Sequence, residues 1–174
     1  RGDSKVAPEN TLPAFASAVK AGADLVELDY HHSADGVPMV FHDGDLDRTS
    51  NAVSLWGGQK IRLASKTAAE LKQLDAGSWF NPKFAGAGIP TLEQALATIQ
   101  PGSITLIERK AGDPETCVKL LTQENLLGDV VVQAFDWTFL EGCHKLAPEL
   151  VLGALGHKEV TPEKLDAVAK TGAR

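Results

Sequence analysis

The sequence predicts an α/β fold: a parallel sheet with helical crossovers that supplies about five strands of an eightfold barrel and carries a small insertion, about residues 44–88. Three observations lead there. From Ile89 onward, segments of helical period alternate with short strand-like runs in the order helix, strand, helix, strand, helix, strand, helix, the pattern of a parallel sheet. The chain has 174 residues, whereas a closed barrel of this kind needs about 250. The polar residues with chemical potential gather at the ends of predicted strands, where such a barrel keeps its site.

Asn10 or Thr11 caps a first helix in which Leu12, Phe15, Ala16 and Val19 form one apolar stripe, and Gly22 ends it. Asp24 to Tyr30 reads as a strand. Asp35-Gly36 is a turn dipeptide, and Val37 to Phe41 is a second strand able to pair with the first through that short link. From Asp43 to about Gly88 periodicity is lost among Gly, Ser, Asn and Lys, which marks the insertion; Trp56, Trp79 and Phe80 are expected to pack its small core. Thr67 to Glu70 has the form of a capping box and opens a short helix with Leu71 and Leu74. Thr91 to Gln94 is a second box, opening a helix with Leu92, Ala95, Leu96 and Ile99 on one face. Ser103 to Glu108 is a strand, and Asp113-Pro114-Glu115 opens a helix that Gly128 closes. Val130 to Phe135 is a strand buried on both faces, followed by an Asp136-capped helix through Ala147. Leu150 to Leu155 is a further strand, and Thr161-Pro162-Glu163 opens the last helix.

Hydrophobic residues make up 43% of the chain and charged residues 23%, ordinary values for one globular domain spanning 1–174. A net charge of −6, with Lys and Arg scattered, excludes an extended nucleic-acid surface but leaves room for a pocket holding one phosphate. No apolar run approaches the length of about 20 residues that spans a membrane. The chain begins at Arg1-Gly2 without methionine and ends just after a helix, so both ends read as cut; a cytoplasmic location is favoured, and oligomeric state is not legible. Cys117 and Cys143 fall at apolar positions of predicted helices and read as reduced core thiols.

The chemistry starts with Glu27 and Asp29. Two residues apart on a strand, they project from one face, away from Val26, Leu28 and Tyr30. Like charges so close repel unless a cation sits between them, and a hard divalent ion with oxygen ligands is the usual occupant. Glu108 and Lys110 share a face of a third strand by the same parity, adding a carboxylate and an ammonium. His42, followed by Asp43, ends the second predicted strand and offers a group that exchanges protons near neutral pH. His31 shares parity with Glu27 and Asp29 and is a lesser candidate. His32, His144 and His157 read as structural or solvated. Together these residues suggest metal-assisted attack on an anionic substrate.

Arg1-Gly2, Pro8-Glu9-Asn10-Thr11, Gly22-Ala23-Asp24 with Glu27-Leu28-Asp29, Asp35-Gly36 with Val40-Phe41-His42-Asp43, Leu46-Asp47-Arg48-Thr49 and Ile89-Pro90-Thr91-Leu92 resemble the glycerophosphodiester phosphodiesterases in order and spacing, to about Gly156. The resemblance implies a TIM-type (β/α)8 barrel with a subdomain inserted after the strand carrying His42. It implies a divalent metal, Ca2+ or Mg2+, on Glu27, Asp29 and Glu108, with Arg1 and Lys110 at positions that hold the phosphate. Two histidines serve as general acid and base in the family: one matches His42, and the other falls immediately before Arg1. The implied reaction is hydrolysis of a small glycerophosphodiester to glycerol 3-phosphate and an alcohol.

The third-ligand motif reads Glu108-Arg109-Lys110, where the family usually has an apolar middle residue; parity sends Arg109 toward the helix layer, where it needs a partner. Two other readings stay open beside the hydrolase. One is a degenerate or truncated module that binds glycerophosphate without turnover, and the other is a phospholipase of the sphingomyelinase D type sharing the barrel and metal site.

Overall fold

The computed structural model describes residues 1–157 and 159–173. Its strands β1 (Leu25–His32), β2 (Pro38–Val40), β3 (Ile104–Arg109), β4 (Val130–Ala134) and β5 (Val151–Ala154) form one sheet in the order β2-β1-β3-β4-β5. The helices are α1 (Leu12–Lys20), α2 (Ala52–Trp56), α3 (Ala68–Leu71), α4 (Leu92–Ile99), α5 (Pro114–Gln123), α6 (Trp137–Leu146) and α7 (Pro162–Lys170). β1, β3, β4 and β5 are parallel and connected by helices, as the alternation requires.

β2 pairs with β1 through the Asp35-Gly36 turn, as that link predicts, running antiparallel with Val40 against Tyr30 and Pro38 against His32. The short link permits nothing else, since a parallel return needs a dozen or more residues. His42 therefore does not end a parallel barrel strand; the chain has turned back, and the Phe41 amide reaches the Asp29 carbonyl at 3.0 Å.

Strand parity divides the sheet into two faces. Val26, Leu28, Tyr30, Ile107, Val130, Val132, Ala134 and Leu152 point to the helices and join Phe15, Leu92, Leu96, Ile99, Leu121 and Leu140 in the main core. Cys117 and Cys143 lie in it as buried free thiols. The other face carries Leu25, Glu27, Asp29, Leu106 and Glu108, matched across the register as Leu25 to Ile104, Glu27 to Leu106 and Asp29 to Glu108. A second, smaller core gathers Met39 and Phe41 with Leu46, Leu63, Leu71, Leu74 and Ile89, so residues between 44 and 88 pack beneath the hairpin. Trp56 joins this core, but Trp79 stays exposed with its indole N–H on the Ala76 carbonyl.

Both capping boxes form, Thr67 with Glu70 and Thr91 with Gln94, and Asp113, Asp136 and Thr161 cap their helices as their positions require. Thr11 occupies the N-cap of α1 without capping it; its hydroxyl donates to the Pro8 carbonyl at 2.6 Å. α5 stops at Gln123, ahead of Gly128, because Asn125 takes the left-handed conformation that ends it.

Gly77 is the tightest point of the second core: a Cβ there would lie 2.0 Å from the Phe84 carbonyl oxygen. Gly77→Ala is expected to cost about 1–3 kcal/mol, the usual range for overpacking against atoms that cannot yield. Denaturant unfolding of the full-length variant checks this, and an unchanged midpoint would show that the Phe84 turn moves freely.

Candidate active site

Register builds the first part of the site. β1 and β3 pair Asp29 with Glu108, and Glu27 lies two residues earlier on the same face, so three carboxylates converge. One oxygen from each of Glu27, Asp29 and Glu108 lies within 4.8 Å of the others. Lys110 Nζ reaches Glu108 Oε1 at 2.5 Å and Asp29 Oδ1 at 3.2 Å. Arg1 lies against the same cluster. The Gly2 amide bonds the Glu27 carbonyl at 3.0 Å, and Arg1 sets its Nε 3.4 Å from Asp29 Oδ2.

Asp29 is only 1% exposed. Its oxygens are met by Lys110, by Arg1 and by Asn10, whose Nδ2 donates to Asp29 Oδ2 at 2.9 Å. Asn10 Oδ1 in turn accepts the Asp29 backbone amide at 3.3 Å. Asn10 holds φ at +56°, a left-handed conformation that asparagine tolerates better than most residues. Burial raises the Glu27 pKa, and the carboxylates of Asp29 and Glu108 raise it further. Burial disfavours the Lys110 ammonium, but Glu108 and Asp29 outweigh it and raise its pKa, so Lys110 stays charged.

The hairpin supplies the second part. His42 Nδ1 lies 2.5 Å from Asp43 Oδ1. A carboxylate only accepts, so Nδ1 carries the proton and Nε2 is the nitrogen left for proton exchange. Asp43 is held at about 2, chiefly by its bond from Arg48 and then by His42, against partial burial. His31 donates from Nε2 to the His42 carbonyl at 3.0 Å, and burial lowers its pKa. Parity thus did bring His31 to the site, where it holds backbone.

Sequence reasoning assigned Glu9 and Arg48 no role and Asn10 only that of a candidate helix cap. Arg48 spans Asp43 and Glu9, and Glu9 also receives Arg1 Nη1 at 3.3 Å. The only signal for them was membership of two short motifs, because their partners lie far away in sequence. Arg109 finds the partner its parity demanded: it donates to the Gly112 carbonyl and to Asp136 at 2.9 Å, and stacks on Phe139. His32 lies 3.6 Å from Asp113, and His157 stacks on Phe135, both away from the acid cluster's contacts.

Carboxylates, lysine and arginine converge at the ends of parallel strands, and the sheet with its helices is a partial TIM-type (β/α)8 barrel with an acidic site. Comparison with known proteins gives the family. The chain belongs to the glycerophosphoryl diester phosphodiesterase family, whose model matches residues 1–173. It is 37% identical over 162 residues to a glycerophosphodiester phosphodiesterase of Caldanaerobacter subterraneus subsp. tengcongensis, covering 89% of this chain and 64% of that protein. A Bacillus subtilis glycerophosphodiester phosphodiesterase is 35% identical over 169 residues, covering 86% of this chain. The chain thus spans 64% and 55% of the length of these two relatives. Among solved structures, an Oleispira antarctica phosphodiesterase in complex with the product sn-glycerol-3-phosphate superposes with a TM-score of 0.83 at 32% identity, covering 97% of this chain and 70% of that one. A glycerophosphodiester phosphodiesterase from Agrobacterium tumefaciens gives 0.78 at 29% identity, covering 99% and 81%. No described helix is long and apolar enough to cross a membrane.

Two outcomes follow from this geometry. Asn10→Gly keeps the left-handed backbone accessible and removes only the amide that serves buried Asp29; in the full-length protein it is expected to cost about 1–3 kcal/mol. Denaturant titration measures it, and an unchanged stability would mean that Lys110 and Arg1 alone satisfy Asp29. Asp43 has a depressed folded-state pKa, so its contribution to stability is fully present above its unfolded value of 3.8 and fades as pH falls toward about 2. The thermal midpoint of Asp43→Asn is therefore expected to lie below wild type at pH 6 and to converge with it between about pH 4 and 2. Parallel curves over that range would contradict the assignment.

Proposed function

We propose that the protein of which this chain is part hydrolyses glycerophosphodiesters to glycerol 3-phosphate and an alcohol, using a divalent cation held by Glu27, Asp29 and Glu108. The observation that carries the reading is the convergence of these three carboxylates beside Lys110 and Arg1 in a chain of this family. The relative described with sn-glycerol-3-phosphate as product supports the substrate class.

The donor set fits the cation. Three carboxylate oxygens are hard ligands. One oxygen from each carboxylate lies within 4.8 Å of the others, close enough for one hard divalent cation, Ca2+ or Mg2+, to draw all three as ligands. When bound, such an ion supplies Lewis-acid charge against phosphoryl oxygens. The chain's own residues do the rest. Arg1 and Lys110 hold the anionic diester, and Lys110 is kept protonated by its carboxylate neighbours. His42 presents Nε2 for a proton, its ring oriented by Asp43. Such a general acid or base contributes about 100- to 10,000-fold. Residues 44–88 form an insertion within a single barrel domain.

Glu27→Gln in the full-length protein is expected to abolish metal-dependent release of glycerol 3-phosphate from glycerophosphocholine and to weaken Ca2+ binding in calorimetry. Full activity with unaltered Ca2+ affinity would refute the ligand assignment. Binding of the diester without turnover by the wild type would instead favour the binding-module reading, and choline release from sphingomyelin would favour the phospholipase.

A further inference from the structure

Two motifs that the hydrolase reading leaves without a role, Pro8-Glu9-Asn10-Thr11 and Leu46-Asp47-Arg48-Thr49, meet each other in space. Arg48 Nη1 and Nη2 fork onto Glu9 Oε2 and Oε1 at 3.1 and 2.7 Å. Its Nε donates to Asp43 Oδ2 at 2.6 Å, and the other Asp43 oxygen takes the His42 Nδ1 proton. Glu9 also receives Arg1. The result is a ladder of alternating charge, Arg1, Glu9, Arg48, Asp43, His42, that joins the candidate phosphate-binding arginine to the candidate acid/base.

The surrounding residues fix the direction of Arg48. Leu46 is buried in the second core and its amide bonds the Ile61 carbonyl at 2.9 Å. Asp47 accepts the Lys60 and Ile61 amides, and Thr49 is buried. With its neighbours on both sides pinned, Arg48 is left facing Asp43 and Glu9. It is still 46% exposed along its side chain, and exposed ion pairs contribute little to stability. A fork that engages three oxygens of two carboxylates does, however, fix geometry, and lysine cannot reproduce it.

We infer that Arg48 is a positioning residue for the hydrolytic reaction: it clamps Asp43 in the rotamer that orients His42, and Glu9 braces it. The inference rests on the hydrolase reading. Without Arg48, Asp43 Oδ2 loses its donor and the carboxylate is free to rotate into water, taking the His42 tautomer and ring orientation with it. The carboxylate cluster at Glu27, Asp29 and Glu108 has no bond to Arg48, which reaches the candidate binding residues only indirectly, through Glu9 and Arg1.

The test compares wild type, Arg48→Gln, Arg48→Lys and Glu9→Gln in the full-length protein, reading kcat and KM on glycerophosphocholine, the far-downfield NMR resonance of the His42 Nδ1 proton, and thermal unfolding. Arg48→Gln is expected to lower kcat about 10- to 100-fold, the usual loss when a residue orienting a functional ligand is removed. KM should change less than kcat, unfolding should stay cooperative with a midpoint lowered no further than in Asp43→Asn, and the resonance should broaden or vanish. Arg48→Lys should restore part of kcat, and Glu9→Gln should show a smaller fall of the same kind. A wild-type kcat with the resonance intact in Arg48→Gln would overturn the clamp, as would a kcat loss that comes only with lost cooperativity of unfolding. A wild type that turns over no glycerophosphodiester overturns the hydrolase reading instead, and in that case an Nδ1 resonance that survives Arg48→Gln still refutes the clamp while its loss upholds the orientation of His42.

Discussion

The site depends on burying one carboxylate. Taking an ion such as Asp29 out of water costs several kcal/mol unless its oxygens find charged or hydrogen-bonding partners, and a second carboxylate, Glu108, stands directly across the β1/β3 register. The chain answers with three groups from three segments: the Asn10 amide from the loop before α1, the Lys110 ammonium from the end of β3, and the Arg1 guanidinium. Each partner is therefore held by the same demand that it satisfies. That is why Asn10 adopts a left-handed backbone at φ +56°, a conformation costing of order 1 kcal/mol or more that persists only where its surroundings impose it.

The acid cluster was legible because it depends on the strand period. Glu27 and Asp29, like Glu108 and Lys110, are two residues apart, and parity alone places each pair on one face and Arg109 on the other. Helix starts were equally readable, since capping boxes are local in sequence. The Asp35-Gly36 turn was legible as the link that pairs β2 with β1, and so short a link makes that pair a hairpin. What escaped was tertiary. Arg48 and Glu9 are 39 residues apart, and no periodicity connects them. Trp79 and Phe80 were expected in the small core and stand outside it: the Trp79 indole N–H is taken by the Ala76 carbonyl, and Phe80 packs edge-on between Trp79 and Phe84.

The two parts of the site are held by different means. The carboxylates stand on parallel strands whose register is locked along six residue pairs between β1 and β3, whereas His42 hangs from a hairpin of three pairs. Such a short antiparallel edge is marginal by itself. Its support comes from beneath, where Met39 and Phe41 are buried in the second core with Leu46, Leu63 and Leu71. Folding of the insertion is thus a condition for placing the histidine but not for assembling the carboxylates.

Parity also separates stability from chemistry. The helix-facing side of the parallel strands is mostly buried and apolar, with Val26, Leu28, Tyr30, Ile107, Val132 and Leu152, and truncations there leave cavities. The opposite side is apolar at its amino-terminal end, where Leu25 and Ile104 are 43% and 49% exposed, and charged at its carboxyl-terminal end, where Asp29, Glu108 and Lys110 meet. A residue shifted by one position along β1 or β3 would exchange those environments entirely. The Glu108-Arg109-Lys110 run shows the arrangement tolerating three consecutive charges: the middle one turns to the helix layer and is neutralised by Asp136 at the cap of α6, so it never competes with Lys110 for the carboxylates.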